Sequence, residues 1–230
     1  RHLNKLSFEE TKEGFEIFCE SGVSIPRFAK AFIKRGLSGT EGLLGIPGSI
    51  GGGICMNASS YGSEVTNYLK NIIAIDEDGI EISISKKDLE LSWRSSLIKK
   101  RKITVISCLF FINKKNYIGA NLTTEKSLEI MNHRKTYQEN DLPNLGSIFA
   151  TKNIYKDLAR LNIIFYFIYL VYKLLSIFYH NFRRKKLHQF RTSFIRLYLK
   201  MLKLNKFQNF TSSSKTLNCI VNKGSDKSTE

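Results

Sequence analysis

Several features common in other protein classes are scarce or missing here. The four cysteines, Cys19, Cys55, Cys108 and Cys219, lie far apart and include no Cys-x-x-Cys pair. That argues against a disulfide scaffold and a zinc site, so no metal is expected, and free buried thiols in a reducing cytosol are the expectation. The opening residues show no charged segment followed by an apolar one, so no secretory signal is read there. No apolar run reaches the roughly 20 charge-free residues of a clean membrane span. The nearest approach, residues 162–179, is broken by Lys173. Acidic residues are sparse beyond position 150: residues 151–230 hold 16 Lys/Arg against 3 Asp/Glu. A hydrophobic fraction of 42% suits a globular chain, and 230 residues allow one or two domains with a sizeable core.

The net charge of +16 is therefore concentrated in the last third of the chain. Such a tail suits nucleic acid, an anionic membrane surface or a phosphorylated substrate. It equally suits a Lys-, Asn-, Ile-, Phe- and Tyr-rich composition whose basic face is simply solvated.

The stretch that organises the first half runs from Gly45 to Gly62 and contains six of the fifteen glycines. Glycine admits backbone conformations closed to other residues and lets a ligand approach the main chain. Pro47 reads as a rigid turn. Consecutive N–H groups without side chains suggest an anion nest for phosphate or pyrophosphate; a plain glycine-rich surface loop is the competing reading. Ile46, Ile50, Ile54 and Met56 punctuate the glycines, which speaks for a packed segment rather than a flexible linker.

Around this stretch the chain reads as α+β. Residues 1–20 alternate as strands, clearest at 15–19. Ser24 caps a helix with Pro26 just inside it; Ile25, Phe28, Ala29, Phe32 and Ile33 recur at helical spacing, and Gly36 ends it. Residues 69–76 and 80–84 form a hairpin about Asp78-Gly79. A short helical piece follows at 86–89, the strongest strand pattern lies at 103–111, and a helix spans 123–138. His133 has no nucleophile or carboxylate partner in the pattern and reads as structural or exposed.

Three ordered segments carry a family resemblance. The stretch GIPGSIGGGICMNASSYG is similar to the flavin-loop signature of the UDP-N-acetylenolpyruvoylglucosamine reductases (UDP-N-acetylmuramate dehydrogenases, MurB). Leu91-Ser92-Trp93-Arg94-Ser95-Ser96 resembles the family's Tyr-Arg-x-Ser element, with Trp93 in the aromatic place. Leu145-Gly146-Ser147-Ile148-Phe149 resembles its Gly-Ser-x-Phe element. The resemblance implies FAD and NADPH as cofactors and a UDP-sugar, UDP-N-acetylglucosamine-enolpyruvate, as substrate. The product would be UDP-N-acetylmuramate, a cell-wall peptidoglycan precursor, made in the cytoplasm. Ile46, Pro47, Gly48, Ser49, Gly51, Gly52, Asn57, Ala58, Tyr61 and Gly62 would contact the flavin cofactor. Arg94 would grip the substrate carboxylate, a task that suits a planar guanidinium. Ser147 would donate the proton, as a positioned hydroxyl can.

The chain also departs from the family pattern. After Phe149 it reads Ala150-Thr151-Lys152 where the family has Lys-Asn-Pro. A helical insertion is expected over about 161–209, before Leu217–Gly224 returns to the family's Phe-Ile-Val-Asn-x-Gly strand. The family's first phosphate loop and its catalytic glutamate are expected outside the chain. The expected division is a partial FAD-binding domain at 1–112 and a partial substrate-binding domain at 113–230. Residues 162–179 read as a buried or partner-facing helix, a membrane-surface helix or a span, in that order. A second, basic helix is expected over 190–202, with Phe190, Phe194, Ile195, Leu197, Tyr198, Met201 and Leu202 on one face. Together, residues 161–205 are expected to pack on the substrate domain or on a membrane surface rather than to span. A non-catalytic homologue whose basic aromatic tail binds membrane or nucleic acid is the alternative, with nucleic acid the less favoured partner.

Overall fold

The computed structural model describes residues 3–138, 144–147, 154–161, 163–178, 210–212 and 219–222. The chain divides into two compact units, Arg1–Asn132 and His133–Glu230, and its class is α+β.

The first unit is built on a five-stranded antiparallel sheet in the order β1 (Leu6–Glu10), β2 (Gly14–Glu20), β7 (Thr104–Asn113), β5 (Leu69–Ile75) and β6 (Glu81–Ser85). The most apolar strand of the chain, β7, takes the central place, with Cys19 of β2 directly opposite Cys108. The β5–β6 hairpin closes as its pattern predicts. Gly79 sits at φ 82, and the Asp76 carboxylate accepts from the Asp78 and Ile80 amides.

Helix α1 (Ile25–Lys34) covers one face of the sheet. Ser24 caps it by accepting from the Arg27 amide at 3.3 Å, and Pro26 occupies the first turn, where no donor is needed. Its expected apolar face is buried: the Phe28 ring packs, tilted, with its centroid 4.9 Å from that of Phe110 of β7 and 4.6 Å from that of Phe32. Burial of each such ring contributes about 1.5–3 kcal/mol, so this cluster anchors helix to sheet.

Between α1 and β5 lie a 3₁₀ turn (Glu41–Leu43), helix α2 (Ile50–Cys55) and a two-residue ladder, β3 (Ser59–Ser60) with β4 (Ser63–Glu64). Helix α3 (Leu97–Lys100) precedes β7. Helix α4 (Ala120–Tyr137) starts three residues earlier than its pattern suggested. The Thr123 hydroxyl turns inward and donates to the Ile33 carbonyl at 2.9 Å, tying α4 to the end of α1.

The second unit contains a three-stranded antiparallel sheet, β8 (Asn144–Ser147), β10 (Cys219–Asn222) and β9 (Phe210–Ser212), with β10 in the middle. The strand expected near Leu217–Gly224 is this β10. Helices α5 (Ile154–Leu161) and α6 (Ile163–Phe178) pack on each other. The second basic helix expected at 190–202 lies outside the described residues.

Candidate functional site

The glycine stretch is not one loop. Its centre folds into α2, because Ser49 supplies an N-cap, accepting from the Gly52 amide at 3.3 Å. This helix was missed at the sequence level, since three consecutive glycines are poor helix formers. Tertiary contacts outweigh that weakness. Ser24 and Ser49 form a β-bridge, and Ile25 N–H donates to Gly48 O at 2.9 Å. Ile50 N–H donates to Val23 O at 2.8 Å and Gly51 N–H to Ser21 O at 2.9 Å.

These bonds correct the expectation of an anion nest. Ile50, Gly51, Gly52 and Gly53 spend their amides on Val23 O, Ser21 O, Ser49 Oγ and Ser49 O. No row of amides remains along α2 to receive a pyrophosphate.

The glycines divide by what surrounds them. A methyl on Gly51 would lie 2.8 Å from Ser21 Cβ, and one on Gly53 would lie 3.0 Å from Ile25 Cδ1. One on Gly42 would lie 2.1 Å from Ser60 O, so these three permit close packing. Gly48 at φ 114 and Gly62 at φ 77 face open space, while at Gly52 a methyl would meet only Ser49 Oγ, at 3.5 Å. Gly48, Gly52 and Gly62 are thus each open to close approach, and Pro47 and Tyr61 are exposed in the same stretch.

The other expected cofactor residues fall differently. Ile46 is half-buried against the core. Ala58 is buried, its amide donating to Gly53 O at 2.7 Å and its carbonyl accepting from Val65. Both the methyl and the peptide groups of Ala58 therefore serve packing. Asn57 commits its side chain to the protein: Nδ2 donates to Ser92 O at 3.1 Å, and Oδ1 accepts from the Thr66 hydroxyl at 2.8 Å.

The Asn57 bond reaches the segment that carries Arg94. Residues 92–95 make a tight turn closed by reciprocal bonds, Ser92 N–H to Ser95 O at 3.0 Å and Ser95 N–H to Ser92 O at 3.2 Å. Arg94 takes the left-handed conformation at φ 56, and both it and Trp93 are exposed. A second tie comes from Ser96, which is fully buried and donates to Cys55 O at 2.8 Å. The Arg94 turn is therefore pinned to the C-terminal end of α2, while Gly48 stands at its N-terminal end. Six residues of helix separate the two ends, about 9 Å at 1.5 Å per residue. Nothing in the spacing of residues 49–96 announced these ties.

Non-glycine residues at positive φ are Asn57, Tyr61, Glu90 and Arg94 among the described residues. Three of the four belong to this region. Such conformations cost about 1–3 kcal/mol each and persist where surrounding bonds impose them. Tyr61-Gly62, both left-handed, match the mirror-image turn that short hairpins prefer.

A partly buried polar cluster ties residues 38–41 to Tyr68. The Glu41 carboxylate accepts from the Ser38 hydroxyl at 2.8 Å and from the Gly39 amide at 2.7 Å. Tyr68 donates its hydroxyl to Ser38 O at 3.0 Å. Burial, with the Glu41 charge second, raises the Tyr68 phenol above its usual range. Behind the sheet face, burial pushes the Cys19 thiol up to about 12 and raises Cys108 further. Both are inert structural thiols at neutral pH. His133 is exposed and lies 4.5 Å from the Tyr137 ring.

Ser147 closes strand β8 in the second unit, paired with Cys219 of β10. Among the described residues no group of three or more His, Cys, Asp or Glu could hold a metal ion.

Comparison with known proteins agrees with this architecture. No family model matches the chain. The chain is homologous, over some two thirds of its length, to curated proteins named UDP-N-acetylenolpyruvoylglucosamine reductase. The Clostridium novyi protein is 34% identical over 147 residues, 64% of this chain and 47% of that protein. The Petrotoga mobilis protein is 34% identical over 152 residues, covering 65% and 48%. The chain thus spans about half the length of the curated relatives it matches. A crystal structure of UDP-N-acetylenolpyruvylglucosamine reductase (MurB) from Thermus caldophilus superposes with TM-score 0.59 at 19% identity, over 90% of this chain and 62% of that one. At that identity the superposition speaks for the fold.

Proposed function

We propose that this chain supplies the glycine-rich cofactor surface, the carboxylate-binding arginine and the proton-donating serine of an FAD-dependent reductase. Its substrate is UDP-N-acetylglucosamine-enolpyruvate and its reductant NADPH. The reading is supported by three motifs in the family's order and by the named relatives. The observation that carries it is the Arg94 turn, held left-handed and pinned to α2 by Asn57 and Ser96. Holding a substrate-binding cation in a strained turn against a glycine-rich helix is an arrangement typical of a site rather than of a bland surface.

The residues fit the flavin in part. Open space over Gly48, Gly52 and Gly62 suits close approach of a flat ring or ribityl chain. The occupied α2 amides do not suit its pyrophosphate, so that group would be held elsewhere. FAD, when bound, supplies the hydride. Arg94 would pair with the enolpyruvyl carboxylate and stabilise the negative charge that grows on it as hydride arrives. Ser147 would deliver the proton to the neighbouring carbon.

The two half-reactions separate these roles. In an intact reductase carrying these residues, Ser147→Ala should leave flavin bleaching by NADPH near normal. Recolouring by the enolpyruvyl substrate should slow about 10²–10⁴-fold, the contribution of a positioned acid. Arg94→Ala should weaken substrate binding as well as turnover. Stopped-flow absorbance follows both phases. If Ser147→Ala recolours at the normal rate, the serine is not the donor and the non-catalytic alternative gains.

A further inference from the structure

The reductase reading makes no use of α6. This helix carries Ile163, Tyr166, Phe167, Leu170, Val171 and Leu174 as exposed side chains, with Ile163 at 70% and Phe167 at 58% of full exposure. At about 100° per residue these six fall within about 140° of arc, a continuous stripe along the helix. Phe165, on the opposite side, is buried, and α5 packs against α6. Large apolar side chains are thus lined up along one exposed side of a helix whose Phe165 is buried. Single exposed apolar residues are ordinary; a contiguous patch of six marks an interaction surface.

Charge narrows the choice of partner. Four consecutive cations, Arg183–Lys186, follow within ten residues of the helix end, and residues 151–230 carry a net +13. Lys173 stands at the edge of the stripe, where its chain can lie along apolar material with the ammonium in water. An apolar stripe beside dense positive charge complements an anionic lipid surface, which offers both acyl chains and phosphates. A second protein copy would bring the same +13 against itself. No helix among the described residues is long and apolar enough to cross a membrane.

We infer that α6 lies flat in the interface of an anionic membrane, its Ile163–Leu174 stripe in the acyl region. The site is independent of Arg94 and Ser147.

The 1–230 chain can be sedimented with vesicles of neutral phosphatidylcholine, and with vesicles carrying about one third phosphatidylglycerol. Binding to the anionic vesicles should be at least about tenfold stronger, and 0.5 M salt should weaken it, since each basic residue near such a surface contributes about fivefold. Phe167→Asp with Leu170→Asp should reduce binding at least tenfold. Both side chains are exposed, so circular dichroism and melting temperature should hold. Converting Arg183, Arg184, Lys185 and Lys186 to glutamine should abolish the preference for anionic lipid. In a Trp93→Phe background, Phe167→Trp should shift its emission to the blue on adding anionic vesicles. Equal binding to neutral and anionic vesicles would overturn the inference, as would binding that survives the two aspartates. A dimer in light scattering that the aspartates dissociate would overturn it in favour of a second copy. Tighter binding to single-stranded DNA than to vesicles would overturn it in favour of nucleic acid.

Discussion

Replacing Gly52 with alanine separates what the fold needs from what a ligand needs. Gly52 lies exposed in α2, at ordinary negative φ, with only Ser49 Oγ near a built methyl, at 3.5 Å. Glycine in a helix costs about 0.5–1 kcal/mol relative to alanine. The unfolding entropy of a unit of about 130 residues is near 0.28 kcal/mol per kelvin, so the substitution should raise Tm of the ligand-free protein by about 2–4 °C. The bound flavin would then meet a methyl on the surface it approaches. Overpacking of one methyl costs about 1–3 kcal/mol, which corresponds to FAD affinity lower by about 5- to 150-fold. Differential scanning fluorimetry without FAD reads the first effect; titration of flavin fluorescence in an intact reductase reads the second. Gly53→Ala is the control: its methyl would press on Ile25 and Val65 and should lower Tm. A Gly52→Ala protein with raised Tm and unchanged FAD affinity would refute the assignment of this face to the cofactor. One with lowered Tm would refute the packing argument itself.

Two further outcomes follow from the same geometry. Ser96→Ala removes a buried donor to Cys55 O and the cap of α3, and should cost about 1–3 kcal/mol in urea unfolding. With the Arg94 turn loosened, KM for the enolpyruvyl substrate should rise more than kcat falls, and Ser96→Thr should restore much of both. The raised thiols set an alkaline limit. Unfolded thiols ionise from about pH 9, while folded Cys19 holds its proton to about 12, so the folded state binds more protons in that window and stability falls as pH rises through it. The slope should be about 1.4 kcal/mol per pH unit for each buried thiol; a Cys19→Ala, Cys108→Ala protein should show a flatter profile, and an unchanged one would refute burial as the cause.

Local chemistry determined much of this protein. The alternation at 15–19, the Ser24-Ile25-Pro26 entry to α1 and the Asp78-Gly79 hairpin all folded as their patterns dictate. Each is decided by residues a few positions apart, through side-chain period, capping and backbone freedom. The ordered glycine stretch, Trp93-Arg94 and Gly146-Ser147 likewise exposed the family likeness without a structure. Tertiary structure alone decided how those residues are used. It turned a glycine run into helix α2, because Ser21 and Val23 offered carbonyls to the amides of its first turn. It committed the Asn57 side chain and the Ala58 peptide groups to bonds within the protein, and set Arg94 left-handed at the end of α2. The partners of these bonds lie up to 41 residues away in sequence. A hydrogen bond needs its acceptor within about 3 Å, and sequence spacing across that range holds no record of which groups the fold brings so near.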